Sequence, residues 1–320
     1  LISDARLLLL TDSRFELQAK KEAPLFEVIC YKESLAQILP DCLSSLHTKR
    51  LGFESTRLSF SQHKAISEAL DAEGMDVELV GTENMVESFR MIKSESEIDS
   101  TRDALGIAET VFSDFIGHIV PGMTEKDAAW GLEKALREAG ADSLSFPIIC
   151  ASGPNSALPH AIPGTRAFKA GEPILFDWGT RCRGYCSDIS RTVTIGQPDD
   201  RFEQIYPVVY DAQQLAIGAI KEGVSSKAVD TLARDYIDQK GFGEQFGHAL
   251  GHGTGLAIHE PPRLSPFTDS PLTSGMIVTV EPGIYLPEWG GVRIENMVVV
   301  REDGAEVLNT LNDTNFSPFI

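Results

Sequence analysis

Two carboxylates embedded in neighbouring strand-like segments constrain the fold of this chain more than any other feature. They are Asp177 and Asp188, within EPILFDWGTRCRGYCSDISRT (172–192). If the segments form a hairpin that turns around Cys182 and Arg183, the aspartates are direct cross-strand partners, with Cβ atoms roughly 4.5–5.5 Å apart. Like charges this close destabilise a sheet, so the hairpin requires either a cation between the aspartates or a shared proton.

A second hairpin repeats the arrangement with glutamates. The segment is MIVTVEPGIYLPEWGGVRIENMVVV (276–300), and its loop (287–291) centres on Glu288. That centre pairs Glu281 with Glu295, each inside an apolar strand. A single pair could share a proton, but two pairs in one domain are better explained by bound divalent metal.

Histidines in a third segment add nitrogen ligands. The segment is FGHALGHGTGLAIHEPP (246–262), which contains His248, His252 and His259. Carboxylate oxygens with one or two imidazoles suit Mn²⁺, Zn²⁺, Co²⁺ or Fe²⁺. Four carboxylates are more than one such ion needs, and bridging carboxylates hold pairs of ions in dinuclear hydrolases. The pattern therefore predicts two divalent ions.

The composition excludes several classes of partner. Asp and Glu outnumber Lys and Arg by 47 to 28, which gives a formal net charge of −19 and a pI near 4.7. This balance argues against nucleic acid or an anionic membrane, because phosphate binding needs clustered cations. The five cysteines are scattered, and no apolar segment near the start is long enough for a signal peptide. We therefore expect free thiols and a cytoplasmic location.

The sequence pattern divides the chain into two domains. Over residues 1–90, short apolar runs alternate with helical periodicity, which predicts a small α/β domain. Because the chain lacks an initial Met and ARLLLL (5–10) already resembles a strand within a sheet, we expect this domain to be N-terminally incomplete. Over residues 91–320, a capping box at Ser94 and Glu97 begins a helix, and Gly- and Pro-rich strand segments follow. This second domain is predicted to be α+β, with antiparallel hairpins.

Several segments together resemble one family. They are FDWGTRCRGYCSDISRTVTIG, GHALGHGTGLAIHE, TVEPGIY, GVRIEN and NSALPHAIPG, the last of which contains His160. In order and approximate spacing they resemble the pita-bread metallopeptidases, in particular the aminopeptidase P and prolidase branch. The resemblance covers about two thirds of the chain, and the region before it is similar to the smaller domain of that branch. It implies a catalytic domain of antiparallel sheet flanked by helices.

The resemblance also implies a set of site residues. The implied metal ligands are Asp177, Asp188, His252, Glu281 and Glu295. The implied catalytic residues are His160, His259 and Glu281. The implied substrate-binding residues are His160, His248, His259 and Arg293. Asp177 would bind one ion through both oxygens, Asp188 and Glu295 would bridge the two ions, and the remaining two ligands would complete the second ion.

The implied activity is hydrolysis of the bond between an N-terminal residue and a following proline. A water or hydroxide shared by two divalent ions, Mn²⁺ being the first choice over Co²⁺, Zn²⁺ or Fe²⁺, would attack the carbonyl carbon before the proline. Glu281 would shuttle the proton, and His259 with His160 would stabilise the oxyanion. The family resemblance further implies a homodimer. Whether the substrate is a dipeptide or a longer peptide stays open.

Three alternatives share the same fold. A methionine aminopeptidase has the same ligand set, but the extra N-terminal domain and the His160 segment favour the Xaa-Pro branch. A metal-free binding protein and a creatinase-like hydrolase are the other two. Their ligand sets are broken, whereas none of the five ligand positions is substituted here.

Overall fold

The structure, a computed structural model, describes residues 1–311, which form two compact units. One unit runs from Leu1 to Met85, and the other begins at Val86. Among the described residues, every helix is too short or too polar to cross a membrane.

In the first unit, strands alternate with helices. The elements are β1 (Leu8–Thr11), α1 (Glu16–Glu22), β2 (Glu27–Cys30), α2 (Leu35–Ser45), β3 (Arg50–Glu54), α3 (Phe60–Ala72) and β4 (Glu78–Thr82). Strands β1 and β2 pair in parallel, as do β3 and β4. Parallel neighbours joined through a helix define an α/β arrangement, which confirms the alternation predicted for this region.

Further helices follow strand β4 along the chain, and the first of them begins at Met85, the last residue of the first unit. They are α4 (Met85–Met91), α5 (Glu95–Ile116), α6 (Glu125–Glu138), α7 (Asp200–Ala219) and α8 (Ser226–Gln239), and short 3-10 helices cover Gly153–Ala157 and Gly243–Gln245. The predicted capping box at the start of α5 is present, because the Ser94 N–H donates to Glu97 Oε2 at 2.7 Å. Thr124 caps α6 by accepting from the Asp127 N–H. Pro207 lies inside α7.

The strands of the second unit are short and antiparallel. They are β5 (Ser143–Leu144), β6 (Ile149–Ser152), β7 (Ile174–Trp178), β8 (Thr180–Cys182), β9 (Tyr185–Cys186), β10 (Ile189–Val193), β11 (Gly251–Gly253), β12 (Glu260–Leu264), β13 (Ile277–Val280), β14 (Gly283–Leu286), β15 (Gly290–Arg293), β16 (Asn296–Val300) and β17 (Ala305–Val307). Strands β10, β7 and β6 form a three-stranded sheet, and β12, β11, β13, β16 and β17 form a five-stranded sheet. The predicted α+β class is thus confirmed.

The five-stranded sheet is buried on both faces. Ile277 and Val299 belong to an apolar cluster that includes residues of α5 and α6, such as Phe112. Their neighbours Val278 and Val298 point the other way, into a cluster with residues of α7 and α8. Burial on both faces explains why β13 and β16 have nearly continuous apolar sequences instead of alternating ones.

The first carboxylate hairpin has a different register from the predicted one. Asp177 is opposite Ser190, and the turn consists of Arg183 and Gly184, with φ values of 51° and 85°. Two-residue hairpin turns of this kind require positive φ at both positions, which glycine adopts easily. The prediction that Asp177 and Asp188 are direct partners is therefore wrong, because the turn lies one residue later. The two aspartates are diagonal neighbours instead.

The second carboxylate hairpin has the predicted register. Gly283 is opposite Arg293 in the β14–β15 ladder, and Val280 is opposite Asn296 in the β13–β16 ladder. Glu281 and Glu295 lie between these ladders, opposite each other in the same register. The loop centres on Glu288, whose φ is 70°. The two glutamates thus meet where the hairpin passes from one sheet to the next.

Candidate metal centre

A cavity of about 480 Å³ in the second unit brings the predicted site residues together. Its lining includes His160, Asp177, Asp188, His248, His252, His259, Glu281, Arg293 and Glu295. These residues come from several strands and from the loops beside them. The two hairpins and the histidine segment therefore converge on one site, as the sequence predicted.

The densest part of the site combines carboxylates with one imidazole. Asp188, His252 and Glu295 each offer a ligand atom, and these atoms all lie within 4.8 Å of one another. His252 Nε2 is also 3.5 Å from Asp188 Oδ2 and 3.5 Å from Glu281 Oε1. Oxygen and nitrogen donors at this separation can share a single cation as ligands.

Contacts with the five-stranded sheet orient His252. Its Nδ1 is 3.0 Å from the carbonyl oxygen of Gly253, and a carbonyl can only accept a hydrogen bond. The proton therefore resides on Nδ1, and Nε2 faces the carboxylates with a free lone pair. Burial lowers the pKa of His252 to about 4, which keeps the ring neutral at physiological pH. A neutral imidazole with a fixed tautomer is the form that binds metal.

The carboxylates resist ionisation where they lie. Burial, followed by the charge of Glu295, raises the pKa of Asp188 well above its usual range. Burial, followed by the charge of Glu281, does the same for Glu295. Burial also raises the pKa of Asp177, although Arg293 opposes the rise, and raises that of Glu281 to about 7. Four buried or largely buried acids that repel one another form a site that added positive charge would stabilise.

One oxygen of Asp177 and one of Glu295 have the surroundings expected of metal ligands. Arg293 Nη2 donates to Asp177 Oδ2 at 2.6 Å, and Ser190 Oγ donates to Glu295 Oε2 at 2.8 Å. The other oxygens, Asp177 Oδ1 and Glu295 Oε1, are buried and have no hydrogen-bond partner within residues 1–311. Buried anionic oxygens are rarely left without a partner, so this donor set fits divalent cations.

Arg293 is buried and contacts several groups of the protein itself. Besides Asp177, its guanidinium donates to Ser190 Oγ at 2.8 Å, to Tyr285 Oη at 2.9 Å and to the carbonyl of Pro159 at 3.2 Å. It therefore fixes the orientation of a predicted metal ligand. Its predicted role in binding substrate stays a prediction.

The histidines outside the carboxylate cluster form one side of the cavity. The rings of His259 and His252 are edge to face, with centroids 4.4 Å apart. His248 Nε2 is 3.0 Å from Tyr285 Oη, and burial lowers the pKa of His248 to about 4. His160 lines the cavity from the loop after β6. Imidazoles thus border the space in which a substrate would lie.

Two residues that reasoning from the sequence missed also belong to this site. Tyr285 connects His248 to Arg293 through its hydroxyl group, as described above. Arg263 is exposed, lines the cavity and is opposite His252 in the β11–β12 ladder. The sequence contained a clue to Arg263, because a cation four residues after His259 lies on the strand that pairs with a metal-ligand strand.

The fold and this donor set define a metallopeptidase of the pita-bread type. Residues 99–302 match the model of metallopeptidase family M24, and residues 1–92 match that of the creatinase/prolidase N-terminal domain. The chain belongs to family M24.

Individual relatives resemble the chain over nearly its whole length. An uncharacterized peptidase, YqhT, of Bacillus subtilis is 43% identical over 303 residues, which are 95% of this chain and 85% of the relative. The solved structure of a Xaa-Pro dipeptidase from Bacillus anthracis superposes on this chain with a TM-score of 0.92 and is 41% identical to it. The match covers 97% of this chain and 86% of the dipeptidase chain. The solved structure of an X-Pro aminopeptidase from Thermotoga maritima has a TM-score of 0.89 and 41% identity. That match covers 97% of this chain and 87% of the aminopeptidase chain.

Proposed function

We propose that the chain hydrolyses the peptide bond between an N-terminal residue and a following proline, with two divalent ions at the described carboxylates. The observation that carries this proposal is the pair of buried, unbonded oxygens on Asp177 and Glu295, which face a cavity also lined by His252. The names of the Bacillus anthracis and Thermotoga maritima relatives support the Xaa-Pro substrate class.

Five side chains would hold the ions. Asp177 would bind one ion, His252 and Glu281 the other, and Asp188 and Glu295 would lie between the two. The bound ions, Mn²⁺ being the first choice, would lower the pKa of a water molecule towards neutrality and so supply a nucleophile. The mixed oxygen and imidazole donors suit Mn²⁺, Co²⁺, Zn²⁺ and Fe²⁺ alike.

The chain's own residues would handle the proton and the developing charge. Glu281 would accept the proton released during attack, because its carboxylate lines the cavity beside His252, where the nucleophilic water would lie. His259 and His160, which line the cavity from two different segments of the chain, would donate hydrogen bonds to the oxyanion. Arg293 would keep Asp177 in place through the 2.6 Å contact.

The cavity wall offers a site for the proline ring. Phe146, Pro147, Ile148 and Ile258 line the cavity beside the histidines, and apolar contacts of this kind would pack against a pyrrolidine ring. The exposed cation of Arg263 on the same lining would attract a carboxylate. This cation favours a Xaa-Pro dipeptide, whose C-terminal carboxylate follows the proline directly, over longer peptides.

Hydrolysis of matched substrates tests both parts of the proposal. With Mn²⁺ present, Gly-Pro should be cleaved and Gly-Ala should not. Gly-Pro-amide, which lacks the carboxylate, should show a higher KM than Gly-Pro. Arg263→Gln should raise the KM for Gly-Pro by about tenfold and leave the KM for Gly-Pro-amide unchanged. Equal cleavage of Gly-Pro and Gly-Ala would contradict the substrate class. An unchanged KM in R263Q would contradict the preference for dipeptides.

A further inference from the structure

One wall of the cavity is a single loop, residues 153–164, which we name the His160 loop. Its residues from Pro159 to Pro163 all line the cavity, and His160 is among them. Apart from the 3-10 helix Gly153–Ala157, the loop has no helix or strand of its own within the described chain. Its shape therefore depends on what holds its two ends.

A single buried carboxylate contacts both ends of this loop. Glu125, the first residue of α6, is fully buried. Its Oε1 accepts from the Ser152 N–H at 2.8 Å, from Ser152 Oγ at 2.9 Å and from Asn155 Nδ2 at 3.1 Å. Its Oε2 accepts from Asn155 Nδ2 at 3.1 Å and from the Gly164 N–H at 3.1 Å. Glu125 thus ties the start of the loop to its end.

The backbone of α6 strengthens the same attachment. The Lys126 N–H donates to the Gly164 carbonyl at 3.0 Å, and the Glu125 N–H donates to the Arg166 carbonyl at 3.0 Å. These are N–H groups that a helix leaves without partners in its first turn. A carboxylate at this position is also stabilised by the helix dipole. The N-terminus of α6 therefore acts as a fixed anchor.

The opposite side of the loop contacts the hairpin that carries predicted site residues. The Gly291 N–H donates to Ser156 Oγ at 2.9 Å, and a Cβ at Gly291 would lie 2.3 Å from the Ser156 carbonyl oxygen. Arg293 donates to the Pro159 carbonyl at 3.2 Å. The loop is thus clamped between α6 and the β14–β15 hairpin.

We propose that Glu125 is a positioning residue that acts on turnover through His160, by holding the His160 loop at the distance that the reaction requires. The proposal rests on the proposed Xaa-Pro activity. Both carboxylate oxygens of Glu125 accept hydrogen bonds. A glutamine side chain has only one oxygen, so its NH2 group would face a donor at one end of the loop and lose the hydrogen bonds there. Glu125→Gln keeps the size of the side chain and releases that end, which makes it the informative substitution.

A double-mutant cycle with His160 tests the proposal. In the Mn²⁺-loaded protein, E125Q should lower kcat for Gly-Pro by about 10- to 100-fold, because small misplacements of a catalytic group have effects of this size. Its metal content should equal that of the wild type. In the background of His160→Ala, E125Q should lower kcat less than twofold further, because the group it positions is gone. Equal fold losses in both backgrounds would overturn the proposal.

Glu109→Gln is a matched control. Glu109 is also a buried carboxylate, 3% exposed, and it accepts three hydrogen bonds from Asn309 and Thr310, away from the His160 loop. E109Q should lose stability and keep its kcat. A loss of kcat in E109Q as large as that in E125Q would assign both effects to general destabilisation and overturn the proposal.

Amide hydrogen exchange gives a readout that needs no substrate. E125Q should increase exchange in peptides covering 153–164 by about tenfold or more, whereas E109Q should leave them unchanged. If E125Q does not fold, Asn155→Ala replaces it, since Asn155 contacts both carboxylate oxygens. Unchanged exchange in the loop would overturn the proposal. A wild type that cleaves no Xaa-Pro peptide would contradict the proposed function instead, and the exchange result would still decide whether Glu125 fixes the loop.

Discussion

Replacing Glu281 by glutamine in the metal-free protein isolates the electrostatic cost of the buried carboxylates. Burial raises the pKa of Glu281 from its ordinary value of 4.5 to about 7. The folded protein therefore binds this proton more tightly than the unfolded chain does. The resulting stabilisation is fully present below about pH 4.5 and is lost as the pH rises through about 7.

The size of this loss follows from the pKa difference. At roughly 1.4 kcal/mol for each pH unit, the difference between 4.5 and about 7 corresponds to about 3 kcal/mol. The side chain of Glu281 keeps 18% exposure, so solvent screens part of the effect, and about 2 to 3 kcal/mol is expected. The charge of Glu281 also helps to raise the pKa of Glu295, so removing that charge lets Glu295 ionise more easily and adds to the gain of the variant at high pH.

Urea unfolding in a chelator, at pH 5 and at pH 8, measures the effect. Relative to the wild type, E281Q should gain about 2 kcal/mol or more in free energy of unfolding between the two pH values. Glu288→Gln on the exposed tip of the same hairpin is the control and should show a difference that does not depend on pH. A stability difference between E281Q and wild type that is the same at pH 5 and pH 8 would contradict the raised pKa of Glu281.

Three further predictions concern packing, a buried ion pair and catalysis. Gly179→Ala should lower the free energy of unfolding by about 3 kcal/mol or more, because a Cβ there would lie 1.9 Å from the Ser187 carbonyl oxygen; a loss below 1 kcal/mol in urea unfolding would contradict this. Lys93→Met should lower the free energy of unfolding by about 2 kcal/mol, since Lys93 Nζ is 3.4 Å from the buried Glu260 Oε2, while Glu260 keeps its ion pair with Arg90; unchanged stability in urea unfolding would contradict this. His259→Ala should lower kcat for Gly-Pro by roughly 10²- to 10³-fold with unchanged metal content, and an unchanged kcat would remove His259 from the mechanism.

The two hairpins show how far sequence patterns define register. For Glu281 and Glu295, the apolar strands on either side leave one centre for the hairpin, Glu288, although Gly290 and Gly291 of the predicted loop belong to strand β15. For Asp177 and Asp188, both Cys182-Arg183 and Arg183-Gly184 could form the turn. Only the second places glycine at a position with positive φ, and this turn preference decided a register that charge pairing alone had predicted wrongly.

The sequence was sufficient to predict that the ligand residues come together. It was not sufficient to predict that Glu125 holds the His160 loop. Every predicted ligand is chemically distinctive: the carboxylates lie in or beside apolar strand segments, and His252 lies in a glycine-rich segment. Glu125 follows a helix-capping threonine, where an acidic residue is common and carries no special meaning. Its contacts with Ser152, Asn155 and Gly164 depend on which loop the fold brings to the start of α6. That information lies in tertiary packing, and local sequence does not contain it.

The most direct test of the central claim is the number of divalent ions that each chain binds when fully active. Metal-free protein should be titrated with Mn²⁺ while bound metal and Gly-Pro hydrolysis are measured in the same samples. Activity should reach its maximum at two ions per chain, and Glu295→Gln should lower both metal binding and hydrolysis. Full activity in metal-free protein, or wild-type binding and hydrolysis in E295Q, would contradict it.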